Sequence, residues 1–212
     1  MARLRISEIF HSLQGETSAM GRPATFVRLT GCPLRCQYCD SAYAFHGGMW
    51  MELEEILTQV QERAGQLVVV TGGEPLAQVG VHELLKVLCD AGREVYLETS
   101  GALSVRDVDP RVVKILDIKT PGSAESEKND WENLQYLHAQ DQVKFVLCNR
   151  SDYEWARDFL REHPLPAKEI LFSPSYGELD LHDLAEWILV DQLPVRLQVQ
   201  LHKWIWGDVP GH

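Results

Sequence analysis

Three cysteines within eight residues give this chain its clearest chemical signal. Cys32, Cys36 and Cys39 are separated by three and by two residues, and they follow a short apolar segment. Three thiolates can hold three corners of a four-iron cubane, whereas iron–sulfur clusters usually take four cysteines. The spacing therefore predicts a [4Fe–4S] cluster with one iron open to another molecule. An open coordination position is typical of a reacting metal centre.

A structural zinc site is the main alternative for these cysteines. Together with His46, they would supply four ligands of the kind that zinc accepts. Disulfide bonding is less favoured, because an odd cluster of cysteines without an apolar signal-peptide core fits a reducing compartment. The other two cysteines, Cys89 and Cys148, stand in apolar segments and are predicted to pack as small core residues.

The composition is that of an ordinary globular protein. The chain has 212 residues, of which 45% are hydrophobic and 24% charged, and we expect a single domain over residues 1–212. A formal net charge of −11 argues against a broad nucleic-acid-binding face, which needs basic residues, but it leaves room for a small anionic substrate. No uncharged apolar run approaches the length of a membrane span, so we expect no membrane partner and a cytoplasmic location.

Apolar segments alternate with helical patterns about six times along the chain. Strands are predicted at residues 3–10, 23–30, 67–70, 94–98, 112–118, 143–147, 169–172 and 195–201. Apolar residues at helical spacing predict helices at residues 52–64, 81–88, 131–137, 155–159 and 181–188. Residues 11–17 are predicted to form a loop, and residues 122–130 a mobile segment. The alternation predicts parallel strands joined by helical crossovers.

Several of the predicted strands end in polar residues. Thr71, Ser100, Asp117, Lys119 and Ser173 all stand at or just after such an end. In barrel-like α/β folds the active site is built at the carboxyl ends of the strands. Loops after strands are polar in most proteins, which accounts for about half of these positions. It accounts less well for Asp117 and Lys119, which are embedded among apolar neighbours.

Two motifs together resemble the radical S-adenosylmethionine (SAM) superfamily. The cysteine triplet follows a strand and has the aromatic Tyr38 between its last two cysteines. One strand–helix unit later, residues 71–75 read Thr-Gly-Gly-Glu-Pro and look like the glycine-rich motif of that superfamily. The resemblance implies an α/β fold, an incomplete (β/α)6-type parallel barrel with a radical SAM core. It also implies a [4Fe–4S] cluster on Cys32, Cys36 and Cys39, with SAM as the second cofactor.

Further segments narrow the resemblance to 7-carboxy-7-deazaguanine synthases. They are residues 10–16 (Phe-His-Ser-Leu-Gln-Gly-Glu), 26–29 (Phe-Val-Arg-Leu), 39–41 (Cys-Asp-Ser) and 200–203 (Gln-Leu-His-Lys). This family converts 6-carboxy-5,6,7,8-tetrahydropterin to 7-carboxy-7-deazaguanine with loss of ammonia, on the route to queuosine and other 7-deazapurines. The resemblance further implies Mg²⁺, a homodimer and an electron donor such as flavodoxin.

The resemblance assigns a SAM site. Gly73, which lacks a side chain, would let the backbone approach the methionine end of SAM, and Glu74 would accept a hydrogen bond from its amino group. The rest of that site would comprise Tyr38, Ser100, Asp117, Ile118, Lys119, Ser173, Pro174, Ser175 and Tyr176. An ordinary proline-containing turn is the alternative for residues 173–176.

The resemblance also assigns a substrate site. Arg28 is the expected partner of the substrate carboxylate, because a guanidinium fork fits a carboxylate bidentately. Leu13, Gln14 and Gly15 would present backbone and amide groups to the flat pterin edge, and Thr71 a hydroxyl. By the same resemblance, the hydroxyl of Ser41 would bind Mg²⁺, a hard cation that prefers oxygen ligands.

The carboxyl-terminal residues leave alternatives open. His202 and Lys203 either approach the pocket or only close the last strand. In residues 204–212, the atom that would meet the pterin is undecided, and Trp204 and Trp206 fit a dimer interface or a core equally well.

Two other functions compete with the synthase. A glycyl-radical activase shares the cysteine spacing and the small size, but it acts on a partner protein and has no need of Arg28 or residues 13–15 as a pterin site. A zinc-stabilised or electron-transfer protein without catalysis is the non-enzymatic alternative.

Overall fold

The computed structural model describes residues 3–207, 209 and 211. Its strands are β1 (Arg3–Leu13), β2 (Pro23–Leu29), β3 (Met49–Glu52), β4 (Leu67–Gly72), β5 (Glu94–Thr99), β6 (Val113–Ile118), β7 (Gln142–Leu147), β8 (Glu169–Pro174) and β9 (Arg196–Leu197). Its α-helices are α1 (Leu53–Gln61), α2 (Val81–Asp90), α3 (Arg150–Glu162), α4 (Leu181–Asp191) and α5 (Leu201–Trp206). Short 3₁₀ helices cover Ala42–Phe45, Pro75–Ala77, Pro121–Ser123, Ser126–Lys128 and Trp131–Tyr136.

The nine strands form one sheet in the order β3-β1-β2-β4-β5-β6-β7-β8-β9. From β2 onward every neighbouring pair is parallel. In contrast, β1 runs antiparallel to β2, and β3 runs antiparallel to β1. Within the described residues the edge strands β3 and β9 do not pair with each other, so the sheet is open rather than closed. The predicted α/β fold with mostly parallel strands is confirmed.

Three predicted elements differ from the structure, each because of a long-range contact. Residues 11–13 belong to β1 rather than to a loop, since they pair with residues 23–25 of β2. Residues 131–136 form a 3₁₀ helix, and the side chain of Asn133 in this helix forms hydrogen bonds with the backbone of residues 101–105. The last strand is only two residues long, and residues 201–206 are helical because the Leu201 N–H donates to the Gly15 carbonyl, 2.9 Å away.

Side-chain alternation along the parallel strands divides the interior into two cores. Val68 and Val70 of β4 face the helices and pack in one cluster with Ile56 of α1 and Leu84 of α2. The opposite face carries a smaller cluster, made of Ala19, Ala24, Phe26, Leu67, Val69, Tyr96 and Ile115. Successive strand residues point to opposite sides of the sheet, so every second residue of a strand lies on the same face. The inner-face positions two residues beyond these residues, toward the carboxyl ends of their strands, are therefore known. They are Arg28, Thr71, Glu98, Asp117 and, on β7, Lys144.

The apolar inner cluster therefore ends in a polar layer at the carboxyl ends of the strands. The register supports this, because Arg28 lies beside Thr71 and Asp117 lies beside Lys144 on neighbouring parallel strands. No helix in the described part of the chain is long and apolar enough to cross a membrane. The predictions for the carboxyl-terminal tail fall partly on Asp208, Pro210 and His212, which lie outside the described residues.

Candidate active site

A cavity of about 380 Å³ opens at the carboxyl ends of the parallel strands. This is a volume typical of small-molecule sites, which are usually concave and largely preformed. Two of the predicted site residues, Glu74 and Ile118, do not line it, and Ile118 packs in the outer core. The cavity brings together Leu13, Gln14, Gly15, Arg28, Cys32, Cys36, Tyr38, Cys39, Ser41, Thr71, Gly73, Ser100, Asp117, Lys119, Ser173, Pro174, Ser175 and Tyr176.

Residues 31–41, which we call the cysteine loop, leave the end of β2 and form one wall of the cavity. The loop begins at Gly31, whose φ of 101° favours glycine, and its N–H donates to the Ala44 carbonyl. The buried side chain of Leu34 anchors the middle of the loop, while the thiols of Cys32, Cys36 and Cys39 are partly exposed. The loop therefore presents three thiols to the cavity from an anchored backbone.

The spacing of the three thiols favours a cluster over a zinc ion. In the described part of the chain, one set of three His, Cys, Asp or Glu ligand atoms lies within 4.8 Å of one another, and it is Asp180, His182 and Asp183. At least one pair of the three sulfurs therefore lies more than 4.8 Å apart, whereas tetrahedral bonds of about 2.3 Å to one zinc place sulfurs roughly 4 Å apart. His46 is exposed and does not complete such a set. A single zinc ion therefore fits these thiols less well than a larger group does.

Burial affects the chemistry of these thiols. It raises the pKa of Cys36 to about 11 and also raises the pKa of Cys32. Both are therefore protonated at neutral pH in the metal-free chain. Metal binding at the loop must release these protons, because the thiolate is the ligand.

Gly73 brings the end of β4 into direct contact with the cysteine loop. A Cβ added at this residue would lie 2.3 Å from the Gly31 carbonyl oxygen and 2.8 Å from Cys32 Cβ. Only glycine permits this approach, so the close contact that the sequence predicts at Gly73 includes the loop that carries the thiols.

The carboxylate of Glu74 lies below the cavity and is fully buried. It accepts hydrogen bonds from the Leu76 N–H at 2.9 Å and from the Thr99 hydroxyl at 3.0 Å. The Ser100 N–H, at 2.7 Å, and the Ser100 hydroxyl also donate to it. In this arrangement Glu74 joins the turn after β4 to the end of β5 and thereby fixes Ser100.

Three buried polar atoms of the cavity wall have no hydrogen-bond partner in the described residues. They are the hydroxyls of Tyr38 and Ser173 and the Oδ1 atom of Asp117. Buried polar groups in native proteins are almost always paired, so these three indicate the position of a polar ligand. Tyr38, Ser173 and Asp117 are all among the residues that the family resemblance assigns to SAM.

Lys119 stands beside these atoms. Its Nζ lies 3.0 Å from Asp117 Oδ2 and 5.9 Å from the centre of the Tyr38 ring. Burial is the largest influence and favours a lower pKa for Lys119, but the Asp117 carboxylate and Cys36 together raise the pKa. The lysine therefore remains positively charged inside the cavity.

Arg28, near the carboxyl end of β2, also lines the cavity. Its Nε donates to Glu8 Oε1 at 2.7 Å, and the same oxygen accepts a hydrogen bond from the Tyr43 hydroxyl at 2.8 Å. The guanidinium also lies over the Phe10 and Tyr43 rings. These contacts hold the side chain by its Nε edge, and no hydrogen bond within the described residues engages its terminal nitrogens.

Glu98 organises the predicted pterin-binding residues, although the sequence reasoning did not assign it to the site. Its two carboxylate oxygens accept hydrogen bonds from Gln14 Nε2 at 3.0 Å and from the Thr71 hydroxyl at 2.9 Å. An acidic residue at the end of an apolar strand was the available signal. The resulting row of amide, carboxylate and hydroxyl offers donors and acceptors along one line.

Lys144 and Glu16 were also missed. Lys144 Nζ lies 2.6 Å from Glu16 Oε2 and 3.6 Å from Asp117 Oδ2. Burial favours a lower pKa for Lys144, but Glu16 and Asp117 outweigh it and keep the pKa well above its ordinary value. Lys144 alternates with apolar residues in a predicted strand, and that alternation was the available signal for an inward-facing charge.

The carboxyl-terminal helix closes the cavity. His202 packs on Gly15, where a Cβ would lie 2.0 Å from His202 Nδ1. Lys203 Nζ lies 3.4 Å from Asp40 Oδ2 and 4.9 Å from the centre of the Tyr176 ring. His202 and Lys203 both line the pocket. The alternative in which they only close the last strand is therefore wrong.

Comparison with known proteins places this site in a family. A family model described as the radical SAM superfamily matches residues 26–117. The chain is 47% identical to the 7-carboxy-7-deazaguanine synthase of Chlorobaculum tepidum, covering 97% of this chain and 96% of that one. It is 45% identical to the synthase of Koribacter versatilis, over 96% and 97% of the two chains. The chain belongs to the 7-carboxy-7-deazaguanine synthase family.

The fold agrees with this membership. The crystal structure of QueE from Escherichia coli matches 93% of this chain and 94% of its own with a TM-score of 0.77, at 24% sequence identity. Membership in a radical SAM family implies a [4Fe–4S] cluster and SAM. The three separated thiols, the Gly73 contact and the three unpartnered polar atoms of the wall fit these two groups.

Proposed function

We propose that this chain is a 7-carboxy-7-deazaguanine synthase that converts 6-carboxy-5,6,7,8-tetrahydropterin to 7-carboxy-7-deazaguanine with loss of ammonia. The reaction would belong to the biosynthesis of queuosine and other 7-deazapurines. One observation carries the proposal. A single cavity is lined by three thiols, by Arg28 and by a row of hydrogen-bonding groups from Gln14, Thr71 and Glu98.

The cysteine loop and the adjacent strand ends form the cofactor side of the proposed site. Cys32, Cys36 and Cys39 would hold the cluster and would leave one iron available to SAM. When bound together, the cluster and SAM supply the radical that removes a hydrogen atom from the substrate. The buried polar atoms of Tyr38, Asp117 and Ser173, which have no hydrogen-bond partner in the described residues, would form hydrogen bonds with SAM. The other wall residues expected at this side are Gly73, Ser100, Lys119, Pro174, Ser175 and Tyr176, with Glu74 and Ile118 behind them.

The opposite side of the cavity binds and orients the pterin in this proposal. The terminal nitrogens of Arg28 donate to the substrate carboxylate, while Glu8 fixes the Nε edge. The pterin edge, which carries both donors and acceptors, meets Gln14, Thr71 and Glu98. Leu13 and Gly15 complete this wall, and the absence of a side chain at Gly15 leaves room for His202.

We place Mg²⁺ at Ser41, whose hydroxyl would help to hold it beside the substrate. The Ser41 hydroxyl lies 3.2 Å from Asp40 Oδ1, so oxygen atoms of the kind that Mg²⁺ prefers stand next to each other at the cavity wall. We further propose that the protein is a cytoplasmic homodimer that receives electrons from a flavodoxin-like donor. These three points follow from the family resemblance. Light scattering and reduction assays with purified flavodoxin test the last two.

Product formation is the decisive experiment. Anaerobically reconstituted and reduced protein is incubated with SAM, Mg²⁺ and 6-carboxy-5,6,7,8-tetrahydropterin, and the products are identified by mass spectrometry. We expect the deazaguanine product, regenerated SAM, and no product from the Cys36→Ala variant. Stoichiometric loss of SAM without the deazaguanine would instead support a glycyl-radical activase. One zinc per chain and no response to SAM would support the non-enzymatic alternative.

A further inference from the structure

A buried aspartate lies one layer behind the cysteine loop. Asp152, in the first turn of α3, is 1% exposed and does not line the cavity. Its Oδ1 accepts a hydrogen bond from the Gly122 N–H at 2.8 Å, and its Oδ2 accepts one from the Cys148 N–H at 2.9 Å. Gly122 follows β6 and Cys148 follows β7. One carboxylate therefore ties together the two chain segments that leave neighbouring strands.

Residues 120–125, which we call the clamp loop, connect Asp152 to the cysteine loop. The Gln37 N–H donates to the Ser123 carbonyl at 3.2 Å, and the Arg35 N–H donates to Glu125 Oε1 at 2.5 Å. The Gln37 side-chain amide also lies 3.9 Å from Cys148 Sγ. These contacts reach the backbone on both sides of Cys36, the middle ligand of the three.

The contact between Asp152 and the clamp loop has no spare room. A Cβ at residue 122 would lie 2.2 Å from Asp152 Oδ2, so a glycine is needed for the carboxylate to reach both N–H groups. The Asp152 N–H in turn donates to Asn149 Oδ1 at 3.0 Å. The amino terminus of a helix also favours a negatively charged side chain. The position of the carboxylate is thus set from α3 and from the clamp loop.

We propose that Asp152 is a positioning residue for the iron–sulfur site. It holds the clamp loop against the cysteine loop and so fixes the backbone around Cys36, without itself being a ligand. The inference rests on the cluster of the proposed function, but it does not depend on which substrate the enzyme takes. Groups that orient metal ligands from behind typically contribute 10- to 100-fold to metal affinity or activity.

Three variants test this role. Asp152→Asn keeps the shape but places an amide N–H₂ against one of the two backbone N–H groups. Gly122→Ala leaves the carboxylate in the chain and displaces it through the added methyl. Asp141→Asn is the control for general destabilisation, because Asp141 is also fully buried, accepts hydrogen bonds from the N–H groups of Lys114 and His138 at 2.8 and 2.7 Å, and pairs with Lys114 Nζ at 2.9 Å. Asp141 accepts these hydrogen bonds at the amino ends of β6 and β7, whereas Asp152 acts at their carboxyl ends beside the cysteine loop.

The measurements are made on anaerobically reconstituted protein. They are the iron content per chain, the rate of cluster loss to an iron chelator, the EPR spectrum of the reduced cluster with and without SAM, and thermal unfolding without metal. We expect Asp152→Asn and Gly122→Ala to lose the cluster about tenfold faster than the wild type and to broaden the SAM-dependent EPR signal. Asp141→Asn should unfold at a lower temperature but keep the wild-type rate and spectrum.

Equal rates of cluster loss in all three variants and the wild type would overturn the inference. The inference would also be overturned if Asp152→Asn and Asp141→Asn lost the cluster at the same increased rate, because both rates would then reflect general destabilisation. If Asp152→Asn does not fold, Gly122→Ala decides between these outcomes. Failure of the wild type to take up a [4Fe–4S] cluster would instead refute the proposed function, and this inference with it.

Discussion

Replacing Glu74 by glutamine distinguishes two roles for this residue. The family resemblance assigns the carboxylate to the SAM amino group, whereas in the structure both of its oxygens are already occupied by Leu76, Thr99 and Ser100. Glutamine has nearly the same shape but only one acceptor oxygen. Whichever way the amide is turned, its N–H₂ group faces a backbone N–H, that of Leu76 or that of Ser100.

The magnitude follows from these contacts. A hydrogen bond to a charged group contributes about 1.5–3 kcal/mol, and a buried donor left without a partner costs about 1–3 kcal/mol. Glu74→Gln should therefore lower the free energy of unfolding by about 2.5–6 kcal/mol. For a chain of this length each kcal/mol corresponds to about 2–4 °C, so the melting temperature should fall by roughly 5–24 °C.

Two measurements check this result on the metal-free protein and on the reconstituted protein. Thermal unfolding followed by circular dichroism gives the stability, and SAM titration followed by cluster EPR gives the affinity. The control is Glu55→Gln, an exposed residue of α1, which should change the stability by less than about 0.5 kcal/mol. If Glu74→Gln matched this control in stability yet failed to bind SAM, the carboxylate would be a SAM ligand and our reasoning would be wrong.

Three further predictions concern the cavity and its surroundings. Arg28→Ala should raise the KM for 6-carboxy-5,6,7,8-tetrahydropterin by about 10- to 100-fold in steady-state assays, because a charge-assisted hydrogen bond is lost. Ser41→Ala should raise the Mg²⁺ concentration needed for half-maximal product formation several-fold, measured in Mg²⁺ titrations. Burial raises the pKa of Cys148 from 9.0 to about 12. Mass spectrometry should therefore show that iodoacetamide alkylates Cys148 at about pH 8 at least about 100-fold more slowly than in the unfolded chain.

For each of these three predictions, a specific experimental result would contradict it. Arg28→Ala with an unchanged KM removes Arg28 from the substrate site, and the exposed Arg22→Ala serves as its charge control. Ser41→Ala with an unchanged Mg²⁺ requirement removes Ser41 from the metal site. For Cys148, the folded thiol has the higher pKa, so its stabilising contribution is complete below about pH 9 and is lost as the pH rises toward 12. An alkaline unfolding profile that is the same in Cys148→Ala would contradict this.

Local patterns were sufficient to predict the parts of the site that depend on short stretches of chain. The cysteine triplet and residues 71–75 are each contained in one loop, and their order relative to the strands follows from apolar periodicity. The parallel arrangement then places the carboxyl ends of β2 and β4–β8 at one edge of the sheet. The grouping of Tyr38 with Ser173 came from the family resemblance.

Pairing between distant residues was not predictable in the same way. Glu16 and Lys144 meet only because the segment after β1 reaches across the mouth of the barrel to β7. Helix α5 begins at Leu201, whose N–H donates a hydrogen bond to the distant Gly15 carbonyl. The pattern of residues 195–201 does not predict this contact. The antiparallel direction of β1 likewise follows from its pairing with β2, not from its composition.

Charge pairing in the cavity reconciles an acidic chain with an anionic substrate. Each cationic side chain of the wall has a carboxylate neighbour, and the pairs are Arg28–Glu8, Lys119–Asp117, Lys144–Glu16 and Lys203–Asp40. The cavity is therefore not a basic patch, and it is compatible with a formal net charge of −11. SAM carries both charge signs, and the pterin combines a carboxylate with neutral donors and acceptors. A wall of fixed ion pairs can offer either sign at a defined position, because each partner orients the other before the ligand arrives. In the proposed site, orientation by neighbouring groups rather than net attraction would therefore select the ligands.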